Sequence, residues 1–267
     1  MQRFTQRYRY SVILLKELVR TDFKLRYQGS ALGYVWSLLR PLFLFVILYF
    51  VFARFLKVGE SIPHFPVYLL LGIVLWNYFV EVTSGSVTAI VSKGDILRKL
   101  NFPRYVIILA GSASALINLA LNFIVIGIFM VISDVHVGWH ALWLIPIVIQ
   151  LFIFAIGLAF FLSALFVRFR DVSYIWDVII QAAFYATPIL YPLSQIPASV
   201  GKVLMLNPMA QMIQDARFAL VTPASQTVGH IYQNEFIRVI PIGISVLVAV
   251  LAAIYFKRRS KHFAEEV

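Results

Sequence analysis

The sequence predicts an all-α polytopic membrane protein with six transmembrane helices, and its composition is the first reason. Of the 267 residues, 61% are hydrophobic and only 13% are charged, and the mean hydropathy is +0.86. A soluble domain carries about 25% charged residues. The second reason is a series of long uncharged runs, since about 20 apolar residues cross the hydrocarbon core of a bilayer. The third is the uneven distribution of lysine and arginine between those runs.

The uncharged runs place the six spans at residues 36–56, 64–83, 105–132, 143–167, 173–190 and 238–257 of a single transmembrane domain that covers residues 1–267. The first span is long enough only if Arg40 and Arg54 extend toward opposite membrane faces, as long basic side chains can. With both termini on the cytoplasmic side, eighteen of the 23 lysine and arginine residues lie on inner segments. This positive-inside signal predicts cytoplasmic N and C termini.

Residues 1–35 form a cytoplasmic segment that precedes the first span. Basic residues such as Arg20, Lys24 and Arg26 alternate there with leucine, valine and phenylalanine. That pattern is typical of an amphipathic helix lying on the membrane surface. The sequence therefore predicts an N-terminal interface helix.

The cytoplasmic segment 92–104, between the second and third spans, has the features of a short amphipathic helix. Asp95 near its start and Arg98 and Lys99 near its end complement the helix dipole. Its apolar side consists of Ile96, Leu97, Leu100 and Phe102. Such a helix can fill a groove on a soluble partner or lie on the membrane surface, and the sequence leaves both interpretations open.

The segment after the fifth span combines apolar residues with four prolines, at positions 188, 192, 197 and 208. Irregular backbone is not stable when it is exposed to lipid, because each bare amide or carbonyl costs several kcal/mol. We therefore expect short re-entrant or interfacial helices on the outer side over residues 191–221. An ordinary outer loop with apolar bias is the alternative.

Candidate catalytic residues are absent from the sequence. There is no cysteine and no Gly-x-x-x-x-Gly-Lys-Ser/Thr motif, which excludes thiol chemistry and nucleotide binding through a P-loop. His136 and His140 have helical spacing but no third ligand nearby, so no metal site is predicted. Carboxylates within the spans are few, with Glu81 and Asp177 near span ends, which disfavours an ion-coupled transporter. We expect a transport protein rather than an enzyme, with no cofactor on this chain and energy supplied by a partner.

Aromatic residues make up 15% of the chain and concentrate in the first and fifth spans. Their rings can stack on the C–H faces of sugars, whereas packing against lipid and interfacial belts is the alternative. Tyrosine is the better indicator of a transport pathway, because a hydroxyl inside a membrane needs a polar partner. Tyr49 and Tyr185 are the preferred pathway candidates. The full predicted set is Tyr49, Phe52, Phe184, Tyr185 and Tyr191.

Five segments together resemble the permease subunits of type-2 ABC exporters for polysaccharides and polyol phosphates, which export O-antigen, capsule, rhamnan or teichoic acid. They are LVRTDFKLRYQGSALGYVWSLLRPL (18–42), LRKLNFPR (97–104), FRDV (169–172), ATPILYP (186–192) and LNPMA (206–210). They span most of the chain in the family's order. Each segment is weak evidence alone, and the combination is specific.

The resemblance implies a homodimer in a bacterial plasma membrane, with two separate ATPase subunits that bind ATP and Mg²⁺. Segment 92–104 would be the coupling helix, assisted by Arg20 and Lys24, and residues 191–221 would be the outer gate. The cargo would be a glycan on undecaprenyl pyrophosphate, for which Arg26 and Arg40 are candidate contacts, although extension toward lipid explains each equally well. A permease for a drug or small lipid shares this architecture and remains the alternative. The net charge of +11 is assigned to cytoplasmic loops and not to nucleic acid binding.

Overall fold

The computed structural model of the chain describes residues 2–26, 30, 33, 35–94, 103–260 and 263. Within these ranges all regular secondary structure is helical, and there is no strand. Five helical segments are long and apolar enough to cross a membrane: Val35–Phe55, Phe65–Val87, Tyr105–Ile132, Trp139–Arg168 and Glu235–Arg259. The prediction of an all-α, multi-pass membrane protein is confirmed. The predicted count of six spans depends on one shorter apolar helix, Val172–Ala186, at the place of the fifth predicted span.

The first two helices leave much of their surface uncovered. Helix α1 (Gln2–Arg26) packs along the helix Tyr105–Ile132. Helix α2 (Val35–Tyr49) contains Pro41 and continues as a π-helical segment, Phe50–Phe55. Only 11% of the apolar core of this span is buried. Most of α2 is therefore available to lipid or to another chain.

Helix α3 (Phe65–Val87) lies at the centre of the bundle. It follows a 3-10 turn, Val58–Ser61, and carries proline in its first turn, where a missing amide hydrogen breaks no helix bond. It packs against both α4 (Tyr105–Ile132) and α5 (Leu144–Arg168). Because 78% of its apolar core is buried, α3 is the least lipid-accessible of the five long helices.

The last long helix, α10 (Val239–Arg259), packs along α5 in the most extensive helix contact of the described residues. The 3-10 turns Trp139–Trp143 and Glu235–Arg238 lead into these two helices. A Cβ at Gly157 would lie 2.6 Å from the Cα of Ala249, which is closer than packing allows. Glycine at this position permits the close approach of α5 and α10.

Helix α6 (Val172–Ala186) is the shorter apolar helix. Its 15 residues span about 22 Å, against about 30 Å for a hydrocarbon core. It ends because Thr187 precedes Pro188 and takes an extended conformation. The hydroxyl of Tyr191 then donates to the carbonyl oxygens of Tyr185 at 2.8 Å and Ala186 at 3.3 Å, which caps the helix. The predicted fifth span, 173–190, is thus helical only to Ala186.

The proline-containing segment that follows folds into a 3-10 turn, Leu193–Gln195, and helices α7 (Ala198–Met205), α8 (Pro208–Leu220) and α9 (Val228–Tyr232). Asn207 caps α8 by accepting a hydrogen bond from the amide of Met209 at 2.9 Å, and proline occupies the first helical position. Helix α8 is buried along most of its length and packs against α3 and α5. The chain after α6 therefore returns to the bundle and does not form an open loop.

Candidate functional site

A polar cleft of about 540 Å³ lies between α2, α3 and α4. The portion of α3 that lines it runs from Val74 to Gly85, a length of about 17 Å. Its polar lining residues are Ser37, Arg40, Asn77, Tyr78, Glu81, Ser84, Asn118 and Asn122. We refer to this space, with these residues, as the polar cleft. So many polar groups within apolar spans indicate a functional surface, since polar groups are costly in lipid.

Helical periodicity explains why these residues meet. On α3, Asn77, Glu81 and Ser84 recur at intervals of four and three and share one face of the helix. On α4, Asn118 and Asn122 are four residues apart and face α3. The two helices therefore present their polar faces to each other.

One hydrogen bond joins the two polar faces, and a second lies within α4. The side-chain amide of Asn118 donates to Glu81 Oε1 at 2.8 Å, and that of Asn122 donates to the backbone carbonyl of Asn118 at 2.8 Å. Glu81 was expected to be an interface residue at the end of its span, and the structure places it on the wall of the cleft. Its carboxylate makes this part of the cleft rich in hydrogen-bond acceptors.

Arg40 is the predicted lipid-pyrophosphate residue that the structure places at this site. Its side chain is exposed on α2 and lines the polar cleft beside Trp36. Arg26 is the last residue of α1, and its side chain lies outside the described part of the chain. Of the two predicted pyrophosphate contacts, Arg26 and Arg40, the structure therefore describes only the Arg40 side chain, at the polar cleft.

The predicted ATPase-coupling residues are only partly described. Arg20 and Lys24 are exposed on α1 and available to a partner. The remaining members, Asp95, Ile96, Leu97, Arg98, Lys99, Leu100 and Phe102, lie outside the described residues. Their role stays a prediction from the sequence.

The predicted pathway aromatics pack against two different parts of α3. The Tyr49 ring lies 6.2 Å from that of Phe65, at the start of α3. The Phe184 ring lies 5.8 Å from that of Trp76, near the middle of α3. Phe52 packs against the apolar core, and Tyr185 is exposed. Tyr191 caps α6, as described above, so its hydroxyl has a structural partner.

Arg217 forms a second polar centre, at the opposite end of α3. It is fully buried in α8, and its guanidinium donates to the carbonyl oxygens of Tyr68 at 3.1 Å, Pro188 at 2.7 Å and Ile189 at 2.6 Å. It also lies 3.5 Å from the centre of the Tyr68 ring. Burial lowers the pKa of the Arg217 guanidinium to about 10, which leaves it charged at neutral pH. Arg217 thus fastens α8 to α3 and to the segment that follows α6.

Sequence reasoning missed Asn77, Asn118, Asn122 and the burial of Arg217. A signal was present for the asparagines, because Asn118 and Asn122 are an i, i+4 polar pair within a run of apolar residues. Arg217 lies in segment 191–221, which the sequence predicts on the outer side, and its partner Tyr68 is 149 residues away in the sequence. Among the described residues no group of three or more histidine or acidic side chains is placed to hold a metal ion.

The chain is similar to known proteins over most of its length. The sequence model of the ABC-2 type transporter family matches residues 13–221. The O-antigen export system permease protein RfbA of Myxococcus xanthus is 29% identical over 274 residues, which cover 97% of each chain. A Klebsiella pneumoniae protein of the same name is 30% identical over 257 residues, covering 96% of this chain and 95% of the relative. The polysialic acid transport protein KpsM of Escherichia coli is 22% identical over 210 residues, covering 78% and 81%.

Proposed function

The chain belongs to the ABC-2 type transporter family, and on that premise we propose that it is the membrane-spanning subunit of an ATP-driven polysaccharide exporter. Its cargo would be a polysaccharide on undecaprenyl pyrophosphate, or a teichoic-acid-type glycopolymer, moved from the cytoplasmic to the outer leaflet. The observation that carries this proposal is the similarity to two O-antigen export permeases over nearly the full length of the chain. The polar cleft supports it, because a lipid-linked glycan needs polar surface within a membrane.

The exporter would contain two copies of this chain and two copies of a separate ATPase in a bacterial plasma membrane. Helix α6 supports the homodimer, because Asp177 and Gln181 are exposed on it together with Tyr174 and Tyr185. A carboxylate facing lipid is costly. A second copy, or a water-filled pathway between the copies, would remove that cost.

Energy would enter from the cytoplasmic side. We place ATP and Mg²⁺ on the partner ATPase and the coupling helix at residues 92–104. The exposed Arg20 and Lys24 would add contacts with the same subunit. Both termini of this chain would then be cytoplasmic.

The cargo would enter beside α2 and leave past α8. Arg40 on the polar cleft, with Arg26, would bind the pyrophosphate of the lipid. Tyr49, Phe52, Phe184, Tyr185 and Tyr191 would line or border the pathway of the glycan. Residues 191–221, which include α7 and α8, would form the outer gate, held closed in part by Arg217.

Deleting the gene in its source bacterium tests the proposal. We expect the lipid-linked glycan to accumulate inside the cell, measured by mass spectrometry of extracted lipids, and the surface polymer to disappear from intact cells stained with a lectin or antibody. A plasmid carrying the wild-type gene should restore both. If surface glycan is unchanged and susceptibility to a drug rises, the alternative of a drug or small-lipid permease is correct.

A further inference from the structure

Tyr78 and Asn118 line the polar cleft, and each of them buries one polar atom that has no partner among the described residues. Tyr78 is 2% exposed and Asn118 is 5% exposed. Among the residues that the structure describes, neither the Tyr78 hydroxyl nor Asn118 Oδ1 makes a hydrogen bond. Both side chains line the same cavity, one from α3 and one from α4. A buried polar atom without a partner costs free energy, so two of them at one cavity indicate a ligand that supplies the missing bonds.

Neither atom is needed for packing. Phenylalanine would fill the same volume as Tyr78 without the buried hydroxyl, and the Asn118 amide already reaches Glu81 through its nitrogen alone. The hydroxyl and Oδ1 therefore add polarity for which the described residues offer no partner.

The chemistry of the buried wall selects the class of ligand. Asn118 Oδ1 is an acceptor and requires a donor, and the Glu81 carboxylate bonded to the same side chain repels an anion. The Tyr78 hydroxyl can donate or accept. A ligand hydroxyl also does both, so neighbouring hydroxyls of a sugar can supply the bonds that Tyr78 and Asn118 lack. Trp36 and Leu119 on the same cavity offer apolar surface for the C–H face of the ring.

We propose that the polar cleft binds a neutral sugar within a single copy of the chain, with Tyr78 and Asn118 as the hydrogen-bonding residues of its buried wall. Arg40 on the exposed side of the same cleft places a positive charge where a phosphate next to that sugar would lie. The identification of this sugar as the first residue of the cargo rests on the proposed function. The binding of a neutral sugar does not.

Photolabelling of the full-length chain in lipid nanodiscs tests the proposal. The protein is purified in a detergent without a sugar head group, because such a head group would compete. The probes are dodecyl glycosides of glucose, galactose, rhamnose and N-acetylglucosamine that carry a diazirine, and dodecyl phosphate with the same diazirine is the anionic comparison. Labelled peptides are mapped by mass spectrometry, and the concentration dependence gives an apparent Kd. We expect at least one glycoside to label α3 or α4 saturably and more tightly than dodecyl phosphate.

Tyr78→Phe is the decisive variant, because it removes only a hydroxyl without a protein partner in the described residues. We expect its apparent Kd for the labelling glycoside to rise about fivefold, as for the loss of one hydrogen bond. Tyr255→Phe makes the same change on α10, outside the cleft, and should bind like the wild type. Asn118→Leu should weaken binding by a similar factor, and Tyr78→Phe decides alone if that variant does not fold.

The proposal is overturned if no glycoside labels the cleft, if dodecyl phosphate labels it preferentially, or if Tyr78→Phe binds the glycoside like the wild type. The gene-deletion experiment measures glycan export and not glycoside binding, so the two proposals can fail separately. If no glycoside labels the wild-type cleft although surface glycan depends on the gene, only the sugar site is rejected. Intact binding in a strain whose surface glycan does not depend on the gene would reject only the proposed function.

Discussion

Replacing Arg217 by methionine should destabilise the protein by about 2 kcal/mol, less than three lost hydrogen bonds suggest. The three accepting carbonyls are not equally dependent on the guanidinium. Tyr68 O lies inside α3, where the backbone amide four residues later is its regular partner. Pro188 O also accepts from the Gln214 side chain at 3.4 Å. Among the described residues, only Ile189 O would be left without any other donor.

The magnitude follows from that single carbonyl. A buried carbonyl left without a donor costs about 1–3 kcal/mol. Removing a buried charge offsets part of the loss, because the desolvation penalty of the guanidinium disappears with it. Methionine keeps most of the side-chain length and limits the cavity. For a protein of this size, about 2 kcal/mol corresponds to a decrease in Tm of roughly 4–8 °C, measured by tryptophan fluorescence of the detergent-purified protein during heating.

Gly72 provides a second perturbation that isolates the contact. A Cβ at Gly72 would lie 2.7 Å from Arg217 Nη2, so Gly72→Ala must displace the guanidinium from its carbonyls. In the Arg217→Met background that group is gone, and the alanine should be tolerated. We expect a coupling energy of at least about 1 kcal/mol in the double-mutant cycle. Additive Tm decreases, or full stability of Arg217→Lys, which lacks the planar fork, would refute the reasoning.

Three further variants, two of them double, test other parts of the protein. Exchanging both Leu97 and Leu100 for aspartate should reduce co-purification of the partner ATPase by about tenfold or more, because it puts carboxylates into an apolar groove, and pull-down from membranes measures it. Changing Tyr49 and Tyr185 to alanine should lower glycan export severalfold while the complex still assembles, as measured by surface staining and by size-exclusion chromatography. Gly157→Leu should destabilise the protein by about 1–3 kcal/mol, because the backbone of α10 lies 2.6 Å from the added Cβ.

Each of these substitutions has an outcome that contradicts it. An unchanged complex with the aspartate variants would remove segment 92–104 from the coupling role. Export at the wild-type rate without the two tyrosine rings would make them packing residues only. Gly127→Leu is the matched control for the glycine, because nothing lies within 4 Å of its Cβ position. Equal Tm decreases at both glycines would show that helix propensity, and not the contact with α10, is responsible.

The parts of the fold that depend on local sequence were predictable. Uncharged runs located the long helices, because a helix that crosses the bilayer needs a continuous run of apolar residues, and such a run is visible in the local sequence. The predicted span 173–190 ran past the end of α6 at Ala186, although Pro188 disfavours the helical conformation at the residue before it. The cap at Asn207 follows from an asparagine before a proline.

The site depends on contacts between residues that are far apart in the sequence, and helical periodicity does not predict which residues of two helices meet. Glu81 and Asn118 are 37 residues apart, and nothing in either local pattern specifies the rotation of α3 against α4. The burial of Arg217 is a stronger example. A basic residue in a short helix between spans is usually exposed. Two of the three carbonyl partners of Arg217 are available because the segment at Pro188 and Ile189 is irregular.

Helix α3 joins both polar centres, and its composition explains how it can. Its mean hydropathy of 1.6 is the lowest of the five long helices, and its buried share of 78% is the highest. Lipid requires an apolar surface, whereas a helix surrounded by other helices can carry polar groups if those groups find partners. Tyr68 at one end meets Arg217, and Glu81 at the other meets Asn118. The low hydropathy of α3 therefore agrees with its central position, because its polar groups face other helices and the polar cleft.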